Sequence, residues 1–319
     1  MSSHTVTVDE LDTCITKAVY EGDLHIIRTI FLLNPTRNIV NKIYSFKHLT
    51  LADKDAKYGT LMHLVCRERF SPTYSTQAHD NMIEIAKILV VMGAKLNIMD
   101  SKYGLTVLYR AIKNNHGNLV KFLLTAGADS EQRYAGHTPL TFACKMQNTS
   151  SMEILLEMKV NPNHLYNGNI SCLGMMCDTD YMQVKMVKLL LENRADPNLG
   201  ISPLYGKNIT CESVQLMLAY GLNINQKNKE ESSLFSLIRY RNAPVLLMLL
   251  SMPDIDKTCK NRDGQTLVYV ITQIIIQIKF LDPPADDATP SILSTWMMMD
   301  KNIKTDMKNF IAILRLCMK

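Results

Sequence analysis

The sequence predicts an all-α solenoid of about eight helix-pair units, each joined to the next by a hairpin-like loop. One observation is a repeated order of residues, because Thr106, Thr138 and Ser171 open successive segments that lie 32 and 33 residues apart. A second is the helical periodicity of residues 119–124, whose apolar positions form one wide face. A third is the glycine that follows this helical run, Gly127. A fixed period of this size indicates stacked repeats rather than separate globular domains.

The predicted units follow one another along the whole chain, as a single array over residues 1–319. Thr13 opens the first unit, Thr60 the second and Thr266 the eighth, while the sixth is shortened. The expected boundaries are 8–35, 54–100, 101–133, 134–166, 167–199, 200–227, 228–260 and 261–319. Each unit holds two helices, and no unit can bury its apolar face without a neighbour.

Three departures from the period predict insertions, near residues 36–53, 70–81 and 281–300. The first two follow from the spacing of the openings, because Thr13 to Thr60 is 47 residues and Thr60 to Thr106 is 46. The third begins with Pro283 and Pro284, which exclude a helix there. Trp296 and the methionines after it form either a docking segment or the start of a final helix over residues 304–317.

The ends of the predicted helices carry the residues that helix ends require. Threonine and serine at the unit openings are N-cap residues, and Pro139 and Pro203 follow at the first helical position. Lys159 and Arg194 stand where other units have a glycine after the second helix. We expect strained helix ends at these two residues, because only glycine adopts the left-handed conformation at low cost.

These segments resemble ankyrin repeats. Residues 138–144 match the Thr-Pro-Leu-His opening with an alanine in the first helix, and residues 186–191 match the apolar second helix. Residues 127–129 and 221–225 match the Gly-Ala-Asp-x-Asn segment that leads into the hairpin. The resemblance implies a solenoid that presents hairpin tips and first helices along a concave surface, where another protein binds.

Composition narrows the classes of partner and compartment. The net charge is only +5, and no run of lysine and arginine marks a nucleic-acid or membrane surface. The start lacks a secretory signal, and the apolar run over residues 267–278 is too short and too polar to span a bilayer. We therefore expect a cytoplasmic protein, with the nucleus as the alternative location. It is expected to be a monomer with eight reduced cysteines and neither nucleic acid nor membrane as a partner.

Catalysis and cofactor binding find no support in the residue pattern. Cys172 and Cys177, or His63 and His137, would need further ligands at metal-site spacing, and the sequence offers none. His137 with Asp129 resembles a catalytic pair, but both positions belong to the repeat and are expected to bond locally to backbone. The prediction is a protein that is not an enzyme and has no cofactor or metal.

The expected partner surface combines hairpin tips with positions four, seven and eight after each opening threonine. Its residues are Lys102, Tyr103, Arg110, Lys113, Asn114, Arg133, Tyr134, Phe142, Lys145, Met146, Tyr166 and Asn167. Tyrosine and arginine are enriched at interface hot spots. Because the core is already supplied by Leu, Ile and Val, these side chains are expected to have no structural duty. Charge reversal of Arg110 and Arg133 together with Tyr103→Ala and Tyr134→Ala should then abolish partner capture and leave the thermal unfolding midpoint nearly unchanged.

Three functions fit this prediction. The first is a scaffold or adaptor that captures a partner protein on the concave face. The second is a substrate-recruiting subunit of a ubiquitin ligase, although residues 281–319 resemble neither a SOCS-type box nor a poxviral F-box-like segment. The third is a viral or bacterial effector that occupies a host protein, in line with the Asn-, Ile-, Lys- and Met-rich composition of an AT-rich genome.

Overall fold

The structure is a computed structural model with two compact units, Met1–Asn167 and Gly168–Lys319. It describes residues 8–33, 39–46, 58–66, 81–100, 103–178, 184–229, 231–279, 312–313 and 315–317. Residues 70–80 and 281–300 of the predicted insertions, together with Trp296, lie outside the described residues, as does most of the expected final helix. The boundaries of the predicted repeats remain a prediction.

The described residues of the first compact unit form four helix pairs. Its helices are α1 Val8–Glu21, α2 Leu24–Leu33, α3 Leu61–Val65, α4 Met82–Val91, α5 Val107–Lys113, α6 Gly117–Thr125, α7 Pro139–Lys145 and α8 Thr149–Glu157. The first helices of the pairs, α1, α3, α5 and α7, pack in one row, and the second helices, α2, α4, α6 and α8, pack in another. The predicted all-α repeat fold is confirmed by this two-row packing.

The second compact unit has the same plan. Its helices are α9 Cys172–Asp178, α10 Val184–Glu192, a 3-10 helix Pro203–Tyr205, α11 Cys211–Ala219, α12 Ser233–Arg239, α13 Ala243–Leu250 and α14 Leu267–Lys279. The row of first helices runs α9, 3-10 helix, α12, α14, and the row of second helices runs α10, α11, α13. The 3-10 helix lies in the sixth predicted unit, for which the sequence predicts a shortened repeat.

Extended structure among the described residues is limited to short hairpin pairs. Strands β1 Tyr44–Ser45 and β2 Tyr58–Gly59 pair antiparallel, as do β3 Lys227–Asn228 and β4 Glu231–Ser232. The first pair uses part of the predicted insertion at 36–53. In that insertion Ile39, Val40, Tyr44 and Phe46 are buried, so this segment contributes to the core.

Helix ends follow the sequence prediction closely. The Thr138 hydroxyl accepts the Thr141 N–H, and Pro139 starts the helix behind it. Gly93, Gly127 and Gly221 all have positive φ after a second helix. Lys159 and Arg194 take the same conformation, with φ of 61° and 67°. The strained ends expected at these two positions are therefore confirmed, since a side chain there costs free energy that glycine avoids.

A ladder of asparagines links consecutive hairpins. The Asn225 amide donates to the Asp254 carbonyl at 2.7 Å, and the Asp256 N–H donates back to the Asn225 side chain at 2.8 Å. Asn198 makes the same two bonds to Gly221 and Asn223. Asn41 likewise bridges Gly93 and Lys95, and Asn97 accepts the N–H of Asp129. Side-chain amides thus satisfy backbone groups that the short loops leave without partners.

A second link runs from three of the first helices to the following hairpin. In these repeats the side chain three positions after the opening Thr or Ser forms a hydrogen bond with a backbone carbonyl. That carbonyl belongs to the residue just before the opening Thr or Ser of the next repeat. The contacts are His63 Nε2 to Leu105 O at 3.1 Å, Tyr109 Oη to His137 O at 2.6 Å, and Tyr205 Oη to Glu231 O. This rule could have been read from the repeat register, because His63, Tyr109 and Tyr205 share one position.

None of the described helices has the length and apolar content that a membrane span requires.

Removing one rung of the asparagine ladder should weaken the second compact unit. We expect Asn225→Ala to lower the free energy of unfolding by about 1–2 kcal/mol, because two backbone groups lose their partners. Urea unfolding followed by circular dichroism measures this. Asn228→Ala, a nearby change in the same hairpin, is the control and should cost less than about 0.5 kcal/mol. Equal losses in the two variants would contradict the role of the ladder.

Acid should destabilise the first compact unit through His63. Burial, followed by the Arg110 charge, lowers the pKa of His63 to about 4, whereas an unfolded histidine titrates near about 6.5. Between these values the unfolded chain binds more protons, so the free energy of unfolding falls as the pH drops from about 6.5 to about 4. We expect His63→Gln to remove up to about 3 kcal/mol of this decrease.

Urea unfolding at neutral and mildly acidic pH measures the slope. The exposed residue His25 provides the control variant, His25→Gln, which should keep the pH dependence of the unchanged chain. A slope that is the same in both variants would rule out His63 as its source.

Candidate functional site

The residues expected to bind a partner divide into exposed and buried groups. Lys102 lies outside the described residues. The exposed residues are Lys113, Arg133, Lys145, Met146 and Asn167, and the half-exposed ones are Tyr103, Asn114, Tyr134 and Tyr166. Arg110 and Phe142 are buried, with 4% and 8% of their surface exposed, so their expected exposure is wrong. The physical reason is that position four of a first helix faces the neighbouring first helix, whereas positions seven and eight lie at its free end.

Aromatic rings form the centre of the site. Tyr109 on α5 and Phe142 on α7 meet edge to face, with ring centroids 5.2 Å apart. Tyr134 in the hairpin lies 5.5 Å from Tyr109 and 6.1 Å from Phe142. His137 continues the group towards Tyr166 in the next hairpin, and those two rings stack at 3.9 Å. Packing of this kind holds the half-exposed faces of Tyr134 and Tyr166 in one orientation.

His137 is the buried centre of this aromatic group. The local side-chain bond to backbone expected for it is wrong, because Nδ1 has no partner among the described residues and Nε2 faces Lys145. Its Nε2 lies 3.4 Å from Lys145 Nζ, and burial, followed by the Lys145 charge, lowers its pKa to about 4. At neutral pH the ring is therefore uncharged, and the lysine ammonium donates to Nε2. Lys145 is thus oriented by the ring beneath it while its charge stays exposed to solvent.

Arg110 has a structural duty that the sequence did not predict. Its Nε and Nη2 donate to Asp100 Oδ2 at 3.1 and 2.9 Å, and the carboxylate side chain is fully buried. The other carboxylate oxygen accepts the Tyr103 N–H at 2.7 Å. The ion pair therefore fixes the start of the hairpin that carries Tyr103. The expectation that charge reversal of Arg110 leaves the unfolding midpoint unchanged is contradicted by this geometry.

Two further residues of the predicted surface also bond to backbone. Arg133 Nη1 donates to the carbonyls of Gly136 and Leu165, each at 3.1 Å, and so ties one hairpin to the next. Asn114 donates to the Cys66 carbonyl at 2.7 Å. The absence of structural duty expected for this surface is therefore wrong for Arg110, Arg133 and Asn114. These contacts make the surface rigid before any partner arrives.

The local geometry agrees with the structural role expected for Asp129. Asp129 Oδ1 accepts the N–H groups of Glu131 and Gln132, which is the expected turn contact. In the part of the chain that the structure describes, no group of three or more His, Cys, Asp or Glu side chains is placed to hold a metal ion. What the arrangement offers is a fixed set of aromatic faces and cations.

The comparisons with known proteins agree with the repeat motifs. Residues 75–165 match the family model described as ankyrin repeats, in three copies. The crystal structure of the human ASB11 ankyrin repeat domain gives a TM-score of 0.48 at 24% identity, covering 71% of this chain and 96% of that one. The ankyrin repeat domain of Bcl-3 gives a TM-score of 0.48 at 20% identity, covering 81% and 92%. The resemblance drawn from the motifs is confirmed.

Similar sequences come from viruses and from animals. Ankyrin repeat protein L371 of Acanthamoeba polyphaga mimivirus is 25% identical over 48% of this chain and 26% of its own length. Ankyrin repeat protein FPV031 of Fowlpox virus (strain NVSL) is 30% identical over 39% of each chain. Ankyrin repeat and SOCS box protein 6 of Homo sapiens is 26% identical over 46% of this chain and 38% of its own length. The chain spans about a quarter to two fifths of these curated relatives.

Charge reversal at the two arginines should separate their structural roles. We expect Arg110→Glu to lower the free energy of unfolding by about 3–5 kcal/mol, because Asp100 is left buried beside a second carboxylate. Arg133→Glu carries the same change in charge at an exposed position and should cost no more than about 1–2 kcal/mol. Thermal and urea unfolding of the two variants make the comparison, and similar losses would show that the buried pair does not stabilise the fold.

Proposed function

Because this chain is built of ankyrin repeats across residues 75–165, we propose that it is a protein-binding scaffold or adaptor and not an enzyme. The partner binds the side formed by the hairpins and the first helices α5 and α7, within residues 103–167. The observation that carries this proposal is the rigid aromatic group of Tyr134 and Tyr166 with Arg133 and Lys145 beside it. Aromatic anchors with neighbouring cations are typical of interface hot spots.

Rigidity supports the proposal because binding costs less when side chains are already ordered. Tyr134 packs on two rings, Tyr166 stacks on His137, and Arg133 is held by two carbonyls. A surface of mobile long side chains would lose that conformational entropy on binding. Met146, with 43% of its surface exposed at the end of α7, adds an adaptable apolar contact at the edge.

A substrate-recruiting subunit of a ubiquitin ligase is a second, more specific form of this function. The observation that favours it is the similarity to a human protein whose name includes a SOCS box. In this form the captured protein is delivered to the ligase. Co-purification with cullin-complex subunits tests it, and a chain recovered with a partner but without those subunits would contradict it.

An effector that occupies a host protein is a third form, favoured by the mimivirus and fowlpox relatives. In this form the scaffold itself blocks the partner, and no ligase is required. We propose a cytoplasmic or nuclear location and a monomeric chain for all of these forms.

Partner capture should depend on the two half-exposed tyrosines. We expect Tyr134→Ala combined with Tyr166→Ala to weaken capture of proteins from the native cell by at least about a hundredfold, as for loss of two hot-spot residues. Affinity purification with quantification of the bound proteins measures the effect. The thermal unfolding midpoint of each variant shows whether the array remains folded.

Tyr220→Ala combined with Tyr240→Ala is the matched control. These tyrosines are 45% and 43% exposed in the second compact unit and lie outside the proposed surface. If the two double variants reduce capture equally, or if neither reduces it, the proposed location of the binding surface is wrong.

A further inference from the structure

A small hollow opens on the proposed binding side. It is lined by Tyr103, Leu105, Arg110, Lys113 and Asn114, and its volume is about 10 Å³. That volume holds roughly one oxygen-sized atom. The hollow lies where the hairpin of Tyr103 meets the end of α5, so it is part of the surface that faces a bound partner.

The walls of the hollow favour an anion. The Arg110 Nε and Nη2 groups donate hydrogen bonds to Asp100, whereas its Nη1 group has no hydrogen-bond acceptor among the described residues. Lys113 is exposed on the same helix and pairs with no described carboxylate. The Asn114 amide is held by the Cys66 carbonyl. One guanidinium edge and one ammonium group therefore border the hollow, and a single buried carboxylate lies behind it.

The two helix rows of the first compact unit differ in how their charges are paired. On the second helices, Lys87 pairs with Glu84 at 2.7 Å and Lys121 with Glu157 at 3.5 Å. On the first helices, Lys113 and Lys145 occupy the same repeat position and have no carboxylate partner among the described residues. Helices α3, α5 and α7 contain no aspartate or glutamate at all. On α5 and α7 positive charge is thus left unpaired, whereas α1 of the same row carries four acidic residues and pairs Lys17 with Glu21.

We propose that the partner binds through an acidic segment, with one oxygen of an aspartate or glutamate carboxylate placed in the hollow against Arg110 and Lys113. A second acidic residue of that segment lies against Lys145, one repeat further along the row. This inference rests on the proposed function, and it adds the chemistry of the partner to the location of the surface. Complementary charge of this kind selects partners and speeds association.

The size and charge of the hollow fit a single carboxylate. The hollow has room for one oxygen atom of an aspartate or glutamate side chain. Asp100 lies directly behind Arg110 and offsets the arginine charge, so the net positive charge at the hollow is that of Lys113, which one carboxylate balances.

A phage-displayed library of random linear peptides, selected on the full chain, tests the inference. We expect the enriched peptides to be rich in aspartate and glutamate. Lys113→Glu combined with Lys145→Glu should weaken binding of these peptides at least about tenfold, and selection on that variant should enrich lysine and arginine instead. Raising the salt concentration should weaken binding to the unchanged chain.

Lys87→Glu combined with Lys121→Glu is the matched control, because it makes the same change in charge on the second helices. Equal loss in the two variants, or enriched peptides no more acidic than the starting library, would overturn the inference. Peptides without acidic residues that still require Tyr134 and Tyr166 would overturn it and leave the proposed function intact. Absence of enrichment, or binding insensitive to every variant, would count against both.

Discussion

The structure depends on hydrogen bonds between neighbouring repeats. In each of them, a side chain of one repeat binds a backbone N–H or C=O group in the next hairpin. A hairpin pairs some of its own N–H and C=O groups, as Tyr134 and His137 do, and a side chain of the neighbouring repeat binds others. Asn41, Asn97, Asn198 and Asn225 bridge to the next hairpin from one side. His63, Tyr109 and Tyr205 reach the same loops from the first helices. A repeat is therefore complete only when its neighbour is in place.

The proposed binding surface is a by-product of this sharing. The Tyr109 hydroxyl donates to backbone carbonyls in the hairpin of residues 132–137, and its ring packs against Tyr134 and Phe142. The hairpin then holds His137 beneath Lys145 and beside Tyr166. Contacts that stabilise the stack thus also order the aromatic faces and cations that a partner would meet. Several residues of the proposed binding surface are therefore also residues that stabilise the stack.

The repeat architecture could be read from the sequence because its signals are local. Opening threonines and serines, glycines after the second helices and the apolar period all act within a few residues, and the expected strain at Lys159 and Arg194 followed from the same register. The exposure of Arg110 and Phe142 could not be read this way, because it depends on which face of a short helix meets the next repeat. The stack of His137 on Tyr166 was missed because it joins residues of two different repeats. The carboxylate partner of Arg110, ten positions earlier, shows no spacing typical of a helix pair.

The buried pair of Arg110 and Asp100 also restricts how this gene can change. Replacing either residue alone leaves the other charged and buried, which costs about 3–5 kcal/mol, a large part of the roughly 5–15 kcal/mol by which a folded domain is stable. Replacing both by apolar residues of similar size is tolerated far better. Each single substitution is therefore expected to lower fitness, whereas the double substitution is not. Among descendants of this sequence the two residues are expected to be kept together or lost together, and a lineage that has lost both would carry apolar residues at both positions.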